Sequence, residues 1–271
     1  MRAALLLLAA AALAVPPAPV PPPPYVLRVL ALGHEPERRY FVRSDGFLDM
    51  HELDPRELPP SALFVRPAPE GREAERARVG VALNSVTETV LPPPPAAGDT
   101  LALEREVRLP AAPGRPAELR YERLAELARP AGSGSSLVLL HNPVGRRTWD
   151  DVRPSLIDTS ESRIPPGSVL VLNLCPEPLD AAVGGRAGRL PSGQTVLVPV
   201  SVAPAAPLSL RLELRRGGDA VQLFDSAREM PASRRALLVV HPVPVSRNSR
   251  GADFSLLALA SDPAPAAPPA R

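Results

Sequence analysis

Short apolar segments bounded by turn-forming residues recur along most of the chain. They are rich in Val and Leu and end at Pro, Gly, Asn or Asp, which is the pattern of short β-strands. We predict strands over residues 25–32, 62–66, 78–83, 100–108, 136–141, 168–174, 194–202, 208–214, 221–224 and 236–241. Many short strands at such spacing favour an antiparallel sandwich or barrel. The sequence therefore predicts an all-β protein with minor helix at most.

The chain also resembles itself in two places. Residues 58–65 (LPPSALFV) are similar to 164–171 (IPPGSVLV), and residues 137–143 (LVLLHNP) are similar to 237–242 (LLVVHP). The two similarities keep the same order and nearly the same offset, 106 and 100 residues. Because a fixed offset indicates a repeated structural unit, we predict two tandem antiparallel β-sandwich-like modules of about 100 residues each, over 25–145 and 146–261.

One stretch, residues 116–129, is open between helix and strand. Pro116 followed by good helix formers is typical of a helix N-terminus. The counterpart under the 100-residue offset contains Gly217, Gly218 and the strand-like segment 221–224. The repeat therefore favours a strand near 119–124 followed by a turn, with a short helix as the alternative.

Both ends of the chain have the composition of segments outside the folded modules. Met1 and Arg2 precede an apolar run with small residues at its end, so we predict a signal peptide over 1–14. The run is too short to span a bilayer as a helix, which takes about 20 residues. Residues 15–24 are a proline-rich linker, and 262–271 form an Ala/Pro tail expected to be disordered. We expect an exported protein, periplasmic or extracellular, with no transmembrane segment after cleavage.

The amino-acid composition limits both the partners that the protein can bind and the kinds of side chain that form its core. Aromatic residues make up only 3% of the chain, so the core must be mainly aliphatic. The 31 basic residues, all Arg, are interleaved with 29 acids for a net charge of +2. A nucleic-acid-binding protein concentrates basic charge on one face or tail, so nucleic acid is excluded as a partner. Cys175 has no second cysteine to pair with, and its apolar surroundings in the sequence predict a core position.

Histidine placement is the main pointer to metal chemistry. His34, His141 and His241 each follow an apolar strand and precede a proline within two residues. Equivalent positions in tandem modules are expected to lie too far apart to share one metal ion. Only His34 and His141 are left as candidate ligands, and we predict no resident metal or cofactor. No serine-nucleophile motif, calcium loop or convincing acid pair is present, so we do not expect an enzyme.

Pairs of arginines follow or separate several predicted strands. They are Arg38-Arg39, Arg146-Arg147, Arg215-Arg216 and Arg234-Arg235. As solvated turn residues they need no function, but clustered guanidinium groups bind carboxylates or phosphates. Trp149, close to Arg146 and Arg147, is the one ring expected at the surface for stacking on a sugar. These three residues form the candidate ligand-binding site.

These observations favour an exported, non-catalytic β-sandwich protein that acts in envelope or extracellular assembly by contacting another protein. Exposed sheet edges offer a general mechanism, because an incoming strand completes their backbone hydrogen bonds. Two alternatives stay open. One is a module that binds an anionic polysaccharide through the arginine turns, and the other is a metal-dependent enzyme that uses His34 and His141.

Overall fold

The secondary structure is almost entirely β. The computed structural model describes residues 24–34, 36, 40–50, 54–67, 76–91, 100–109, 118–130, 133–150, 152–200, 207–229, 235–245 and 250–262. Within these residues lie 18 strands and one 3-10 turn, Pro55–Glu57. The prediction of an all-β protein is confirmed. The strands are β1 Tyr25–Leu32, β2 Tyr40–Val42, β3 Leu48–Met50, β4 Ala62–Pro67, β5 Ala77–Gly80, β6 Val86–Leu91, β7 Thr100–Leu109, β8 Glu118–Ala128, β9 Ser135–His141, β10 Ser155–Asp158, β11 Ser168–Asn173, β12 Leu179–Val183, β13 Arg186–Leu190, β14 Thr195–Pro199, β15 Pro207–Arg216, β16 Asp219–Glu229, β17 Arg235–Pro242 and β18 Ala252–Ala258.

The strands from β1 to β10, apart from β2 and β3, form two four-stranded sheets. We call the sheet of order β10-β9-β1-β6 the first inner sheet and the sheet of order β5-β4-β7-β8 the first outer sheet. Successive residues of a strand point to opposite faces, so alternate side chains of both sheets meet in one core. That core contains Tyr25, Leu27, Val29, Leu63, Val65, Leu101, Leu103, Val138 and Leu140.

Strands β11 to β18 repeat this arrangement strand for strand. The second inner sheet has the order β14-β11-β17-β18, and the second outer sheet has the order β13-β12-β15-β16. Strand β11 thus corresponds to β1, β12–β16 correspond to β4–β8, and β17 and β18 correspond to β9 and β10. Even the irregularities recur, because the register shifts between Leu103 and Glu104 in one outer sheet and between Leu212 and Glu213 in the other. The second core contains Val169, Val171, Leu179, Leu208, Leu210, Leu212, Leu214, Leu238 and Val240.

Each inner sheet has a parallel pair of strands at its centre. Strand β1 pairs with β9 and β11 pairs with β17 in parallel, whereas the other pairings are antiparallel. The purely antiparallel arrangement predicted from the sequence therefore does not hold at these two places. Between the two parallel strands, the chain builds the outer sheet and adds one antiparallel edge strand, β6 or β14, to the inner sheet. It then returns in the original direction. Such a long crossover is what a parallel pairing requires.

A third core lies between the two inner sheets. It combines leucines of β1 and β9 with leucines and valine of β11 and β17, so these strands are buried on both faces. Strands buried on both faces read as continuous apolar runs rather than alternating ones, which is how 137–140 and 237–240 read. The third core contains Leu30, Leu32, Leu137, Leu139, Ile164, Leu170, Leu172, Leu237, Val239 and Leu259.

The segment that links the two sets of sheets is held by a buried arginine. Arg235, the first residue of β17, has no solvent exposure. Its guanidinium donates hydrogen bonds to the carbonyl oxygens of Thr159 (2.5 Å), Ile164 (2.6 Å) and Ala260 (2.7 Å). The expectation that this arginine is a solvated turn residue is wrong. It is buried because two chain segments, residues 159–164 and residue 260, present carbonyl groups to it, and charged donors satisfy such groups well.

Two boundaries differ in detail from the sequence-based division. Strand β10 follows residue 145, the predicted end of the first module, yet it pairs with β9 in the first inner sheet. Asp262, predicted as the start of a disordered tail, accepts hydrogen bonds from the Ser135 hydroxyl (3.0 Å) and the Glu161 backbone N–H (2.8 Å). The signal peptide and most of the proline-rich linker lie outside the described residues, as do residues 263–271.

Residues 118–128 settle the open choice between helix and strand. They form strand β8, which pairs antiparallel with β7 along its whole length. Leu124 is the extra residue at the register shift, opposite the step from Leu103 to Glu104. Good helix formers are overridden here because the strand completes the outer sheet, and β-structure depends strongly on such context.

Candidate functional site

The candidate ligand residues Arg146, Arg147 and Trp149 lie in the loop between β9 and β10. Arg146 and Arg147 are exposed, whereas Trp149 is only 4% exposed and belongs to the first core. The expected exposure of this ring is therefore not found. Its backbone N–H donates to the Arg56 carbonyl at 2.7 Å, and Gly33 makes room for the ring, since a Cβ there would lie 2.9 Å from Trp149 Cζ2. The indole packs in the first core and is therefore not available to stack on a sugar.

A groove of about 790 Å³ opens beside this loop, and we call it the basic groove. Its wall comes from β8, its floor from the ends of β9 and β10, and its rim from the loop between them. Arg147 does not line it. Its charged lining consists of Arg105, Glu122, Arg123, Arg146, Asp150 and Arg153, and its apolar lining consists of Leu124, Leu139, Pro143, Val152 and Leu174.

The two acids of the basic groove are already paired. Arg105 donates to Glu122 at 3.0 Å and to Asp150 at 3.0 Å, bridging the outer sheet and the loop. In contrast, the side chains of Arg146 and Arg153 are exposed and make no hydrogen bond or ion pair to any residue in the described part of the chain. Arg123 is paired with Glu126 at 3.4 Å, so Arg146 and Arg153 are the arginines that present positive charge to an incoming ligand.

His141 and His241 meet at the ends of the two inner sheets. Burial and the nearby His241 lower the pKa of His141 to about 4. Burial also lowers the pKa of His241, although Asp253 opposes this. The buried Nε2 of His141 and Nδ1 of His241 have no hydrogen-bond partner within the described residues. Both imidazoles are therefore neutral at physiological pH.

The expectation that His141 and His241 would lie far apart is wrong. Equivalent positions of tandem units are separated when the units sit end to end, but here the inner sheets pack face to face. Candidate metal ligands His34 and His141 lie at the same end of the first inner sheet, because His141 pairs with Leu32 two positions before His34. Among the described residues, no group of three or more His, Cys, Asp or Glu side chains could hold a metal ion.

Cys175 occupies the core position expected from its sequence context. It is fully buried in the second core. Burial raises the pKa of its thiol to about 12, with a smaller contribution from Glu177. A thiol with so high a pKa is protonated at neutral pH and is neither a nucleophile nor a ready metal ligand.

A second surface lies on the two-stranded sheet of β2 and β3, which we call the hairpin. Tyr40 pairs with Met50 and Val42 pairs with Leu48, and directly opposed residues share one face. These four side chains are 44–68% exposed. The turn is well formed, because the Arg43 N–H donates to the Phe47 carbonyl at 2.8 Å and Gly46 adopts a φ of +84°.

The hairpin is an insertion relative to the second set of sheets. It occupies the connection between β1 and β4, whereas residues 174–178 alone connect the corresponding strands β11 and β12. Sequence analysis missed it, although the signal was present: the segment YFVRSDGFLDM has apolar runs on both sides of an Asp-Gly turn, a strong hairpin pattern. Arg105 and Arg153 of the basic groove were not predicted either, because neither stands next to another arginine in the sequence.

Arg215 and Arg216, a further pair within the described residues, are held by local contacts. Arg215 donates to Asp180 at 2.5 Å and Arg216 to Glu177 at 2.9 Å. The hydrogen bonds from Arg189 and Arg215 lower the pKa of Asp180 to about 2. Arg38, Arg39 and Arg234 lie outside the described residues. Arg215 also lines a smaller groove of about 430 Å³ on the second outer sheet, but Asp180 already pairs with it there.

The sequence matches no protein-family model, and no curated protein is significantly similar to it. In the part of the chain that the structure describes, no helix is long and apolar enough to cross a membrane.

Proposed function

We propose that this is an exported, non-catalytic β-sandwich protein that binds another protein in envelope or extracellular assembly. The observation that supports this most directly is the apolar face of the hairpin. Four large apolar side chains stand together there, with exposures of 55% (Tyr40), 67% (Val42), 68% (Leu48) and 44% (Met50). Contiguous exposed apolar surface is typical of protein-binding sites.

The position of the hairpin adds to the argument. A two-stranded hairpin is marginally stable by itself and needs a further layer on its apolar face. The second set of sheets lacks this insertion and keeps the same strand order without it. The hairpin is therefore an addition that the sandwich core does not require, as expected for an element that serves binding.

Replacing Val42 and Leu48 by Thr tests the proposal. Thr keeps the preference for strand conformation but removes much of the apolar contact, so we expect at least about tenfold weaker partner binding from the loss of two buried aliphatic side chains. The full secreted chain is used as bait against periplasmic and secreted fractions. The measurement is the amount of a single protein retained in stoichiometric proportion through a high-salt wash.

The matched control replaces Val90 and Val245 by Thr. These valines are 60% and 74% exposed but lie outside the hairpin, so retention should equal that of the unsubstituted chain. Equal retention by the hairpin variant would refute the proposal, as would the absence of any stoichiometric partner. Circular dichroism of both variants checks that the sheets are intact.

The two alternatives have different support. Binding of an anionic polysaccharide is supported by the arginines of the basic groove, but Trp149 is buried and cannot stack on a sugar. For a metal-dependent enzyme, the described residues offer only the neutral pair His141 and His241, and no group of three or more metal-binding side chains. We therefore do not propose it.

A further inference from the structure

We infer that the basic groove is a second binding site, which takes an extended acidic peptide segment carrying aliphatic side chains. This site is separate from the hairpin and does not depend on the partner that the hairpin binds. The inference rests on the charge of the groove, on the pairing state of each charged group, and on its apolar floor.

The charge balance favours an anionic ligand. Glu122 and Asp150 are held by Arg105 at 3.0 Å each, so they do not compete with a ligand for Arg146 and Arg153. Arg146 and Arg153 project from the loop without a side-chain partner in the described part of the chain. Arginine forks bind carboxylates through paired hydrogen bonds, and arginine clusters recur in proteins that recognise acidic motifs.

The apolar lining distinguishes among anionic ligands. Leu124, Leu139 and Leu174 lie in the groove with Val152 and Pro143, whereas no Phe, Tyr or Trp of the described residues lines it. A sugar chain lacks a ring to stack on, and a free phosphate would leave the aliphatic floor uncovered. In an extended peptide, successive side chains point to opposite sides. Such a peptide directs carboxylates to the arginine rim and aliphatic groups to the floor.

The geometry gives Arg146 and Arg153 the main role in binding. Both belong to the loop between β9 and β10, so they can approach a ligand from the same side without disturbing either sheet. His141 also lines the groove, but it is neutral at physiological pH and offers no charge to the ligand there. The ligand must therefore obtain its charge complement from the arginines.

The test is fluorescence anisotropy with the full secreted chain and a labelled peptide of alternating Glu and Val, about eight residues long, whose successive side chains point to opposite sides. A peptide with Gln in place of Glu is the neutral control. We expect saturable binding of the Glu peptide, weakening with added salt, and little binding of the Gln peptide. The Arg146→Ala/Arg153→Ala variant should raise Kd at least about tenfold, because it removes both charged donors that bind the peptide carboxylates.

A matched variant, Arg163→Ala/Arg186→Ala, removes two exposed arginines outside the groove and should leave Kd unchanged. Equal weakening by both double variants would overturn the inference, since it would reduce the binding to non-specific charge attraction. Stronger binding of oligogalacturonate than of the Glu peptide would overturn it in favour of a polysaccharide. Displacement of the peptide by inorganic phosphate at equal charge concentration would overturn it in favour of a small-anion site.

Discussion

Replacing Arg235 by Leu is expected to lower the free energy of unfolding by about 3–5 kcal/mol, as for other buried charged groups whose network is broken. The guanidinium is fully buried and serves the Thr159, Ile164 and Ala260 carbonyls at 2.5–2.7 Å. Leu fills part of the volume but donates nothing. The buried carbonyl groups of Thr159 and Ile164 and the partly buried carbonyl group of Ala260 then lose this partner, and each buried unsatisfied group carries a desolvation cost of about 1–3 kcal/mol.

Urea unfolding followed by circular dichroism measures this effect, and two further variants give it a scale. Arg235→Lys should give an intermediate loss, because one ammonium group cannot reach three carbonyls in the fixed directions of the guanidinium fork. Arg163→Leu, an exposed arginine in the same linking segment, should change stability by less than about 0.5 kcal/mol. An Arg235→Leu stability equal to that of Arg163→Leu would show that the hydrogen bonds of Arg235 add nothing.

The location of this arginine also shows a limit of sequence-based prediction. Arg234 and Arg235 are adjacent, and nothing in their neighbourhood distinguishes a solvated residue from a buried one. The groups that hold Arg235 come from positions 159–164 and 260, far away in sequence. Burial of a charged residue depends on partners that tertiary structure alone brings together.

The fully buried strands, such as β9 and β17, could be predicted from the sequence because they consist of continuous apolar runs. Strands β9 and β17 are equivalent, as the similarity of 137–143 to 237–242 predicts. The other similarity aligns β4 with β11, whereas the strand order makes β1 the equivalent of β11. Val29 and Val171 occupy the same place in the two inner sheets but lie 142 positions apart in sequence, against 100 for Leu137 and Leu237. The hairpin and longer loops of the first set account for the larger offset.

The short strands β12 and β13 were not predicted from the sequence, although the turn between them carries a sequence signal. Strands β12 and β13 carry buried apolar residues only at their ends, Leu179, Val183 and Leu190, with Ala, Gly and charged residues between them, so they lack the apolar runs of strands such as β9 and β17. They are nevertheless joined by Gly184 and Gly185, which have φ values of +55° and +81°. Two residues with positive φ form the turn that suits the twist of a two-residue hairpin. The Gly-Gly pair was therefore the sequence signal for this hairpin, and it was not used in the prediction.

The candidate site was predictable only in part. Arg146 was found because adjacent arginines are conspicuous, but Arg105 and Arg153 come from separate segments and look ordinary. Trp149 was expected at the surface because polar residues surround it in sequence. The side chain turns inward against Gly33, and the space for it is visible only once β1 and the loop after β9 are side by side.

Acidification is expected to destabilise the protein between about pH 6.5 and pH 4 through the histidines that join the inner sheets. Burial, with the nearby His241, lowers the pKa of His141 in the folded state to about 4, against 6.5 for the ordinary group. The unfolded chain therefore binds a proton in this range that the folded chain does not bind, and stability must rise with pH there. The contribution of His141 is fully present above pH 6.5 and lost as the pH falls towards 4.

The expected loss is on the order of 3 kcal/mol, at 1.36 kcal/mol for each unit of pKa difference. His241, whose pKa burial also lowers, should steepen the same transition. The salt-bridged Asp180 does not contribute, because hydrogen bonds from Arg189 and Arg215 hold its pKa at about 2 and its effect falls below pH 4. Urea unfolding at intervals from pH 7 to pH 4 measures the profile.

The variant His141→Gln separates this effect from the titration of the many carboxylates. Gln stays neutral at every pH, so the difference in stability between the two proteins should change with pH only between about 6.5 and 4. The variant should become the more stable protein, relative to its value at pH 7, as the pH falls. A pH profile identical in the two proteins would mean that His141 protonates as easily in the folded chain as in the unfolded one. Because the two imidazoles stand where β9 and β17 end, loss of stability that follows this titration would locate the acid-sensitive contact between the two inner sheets.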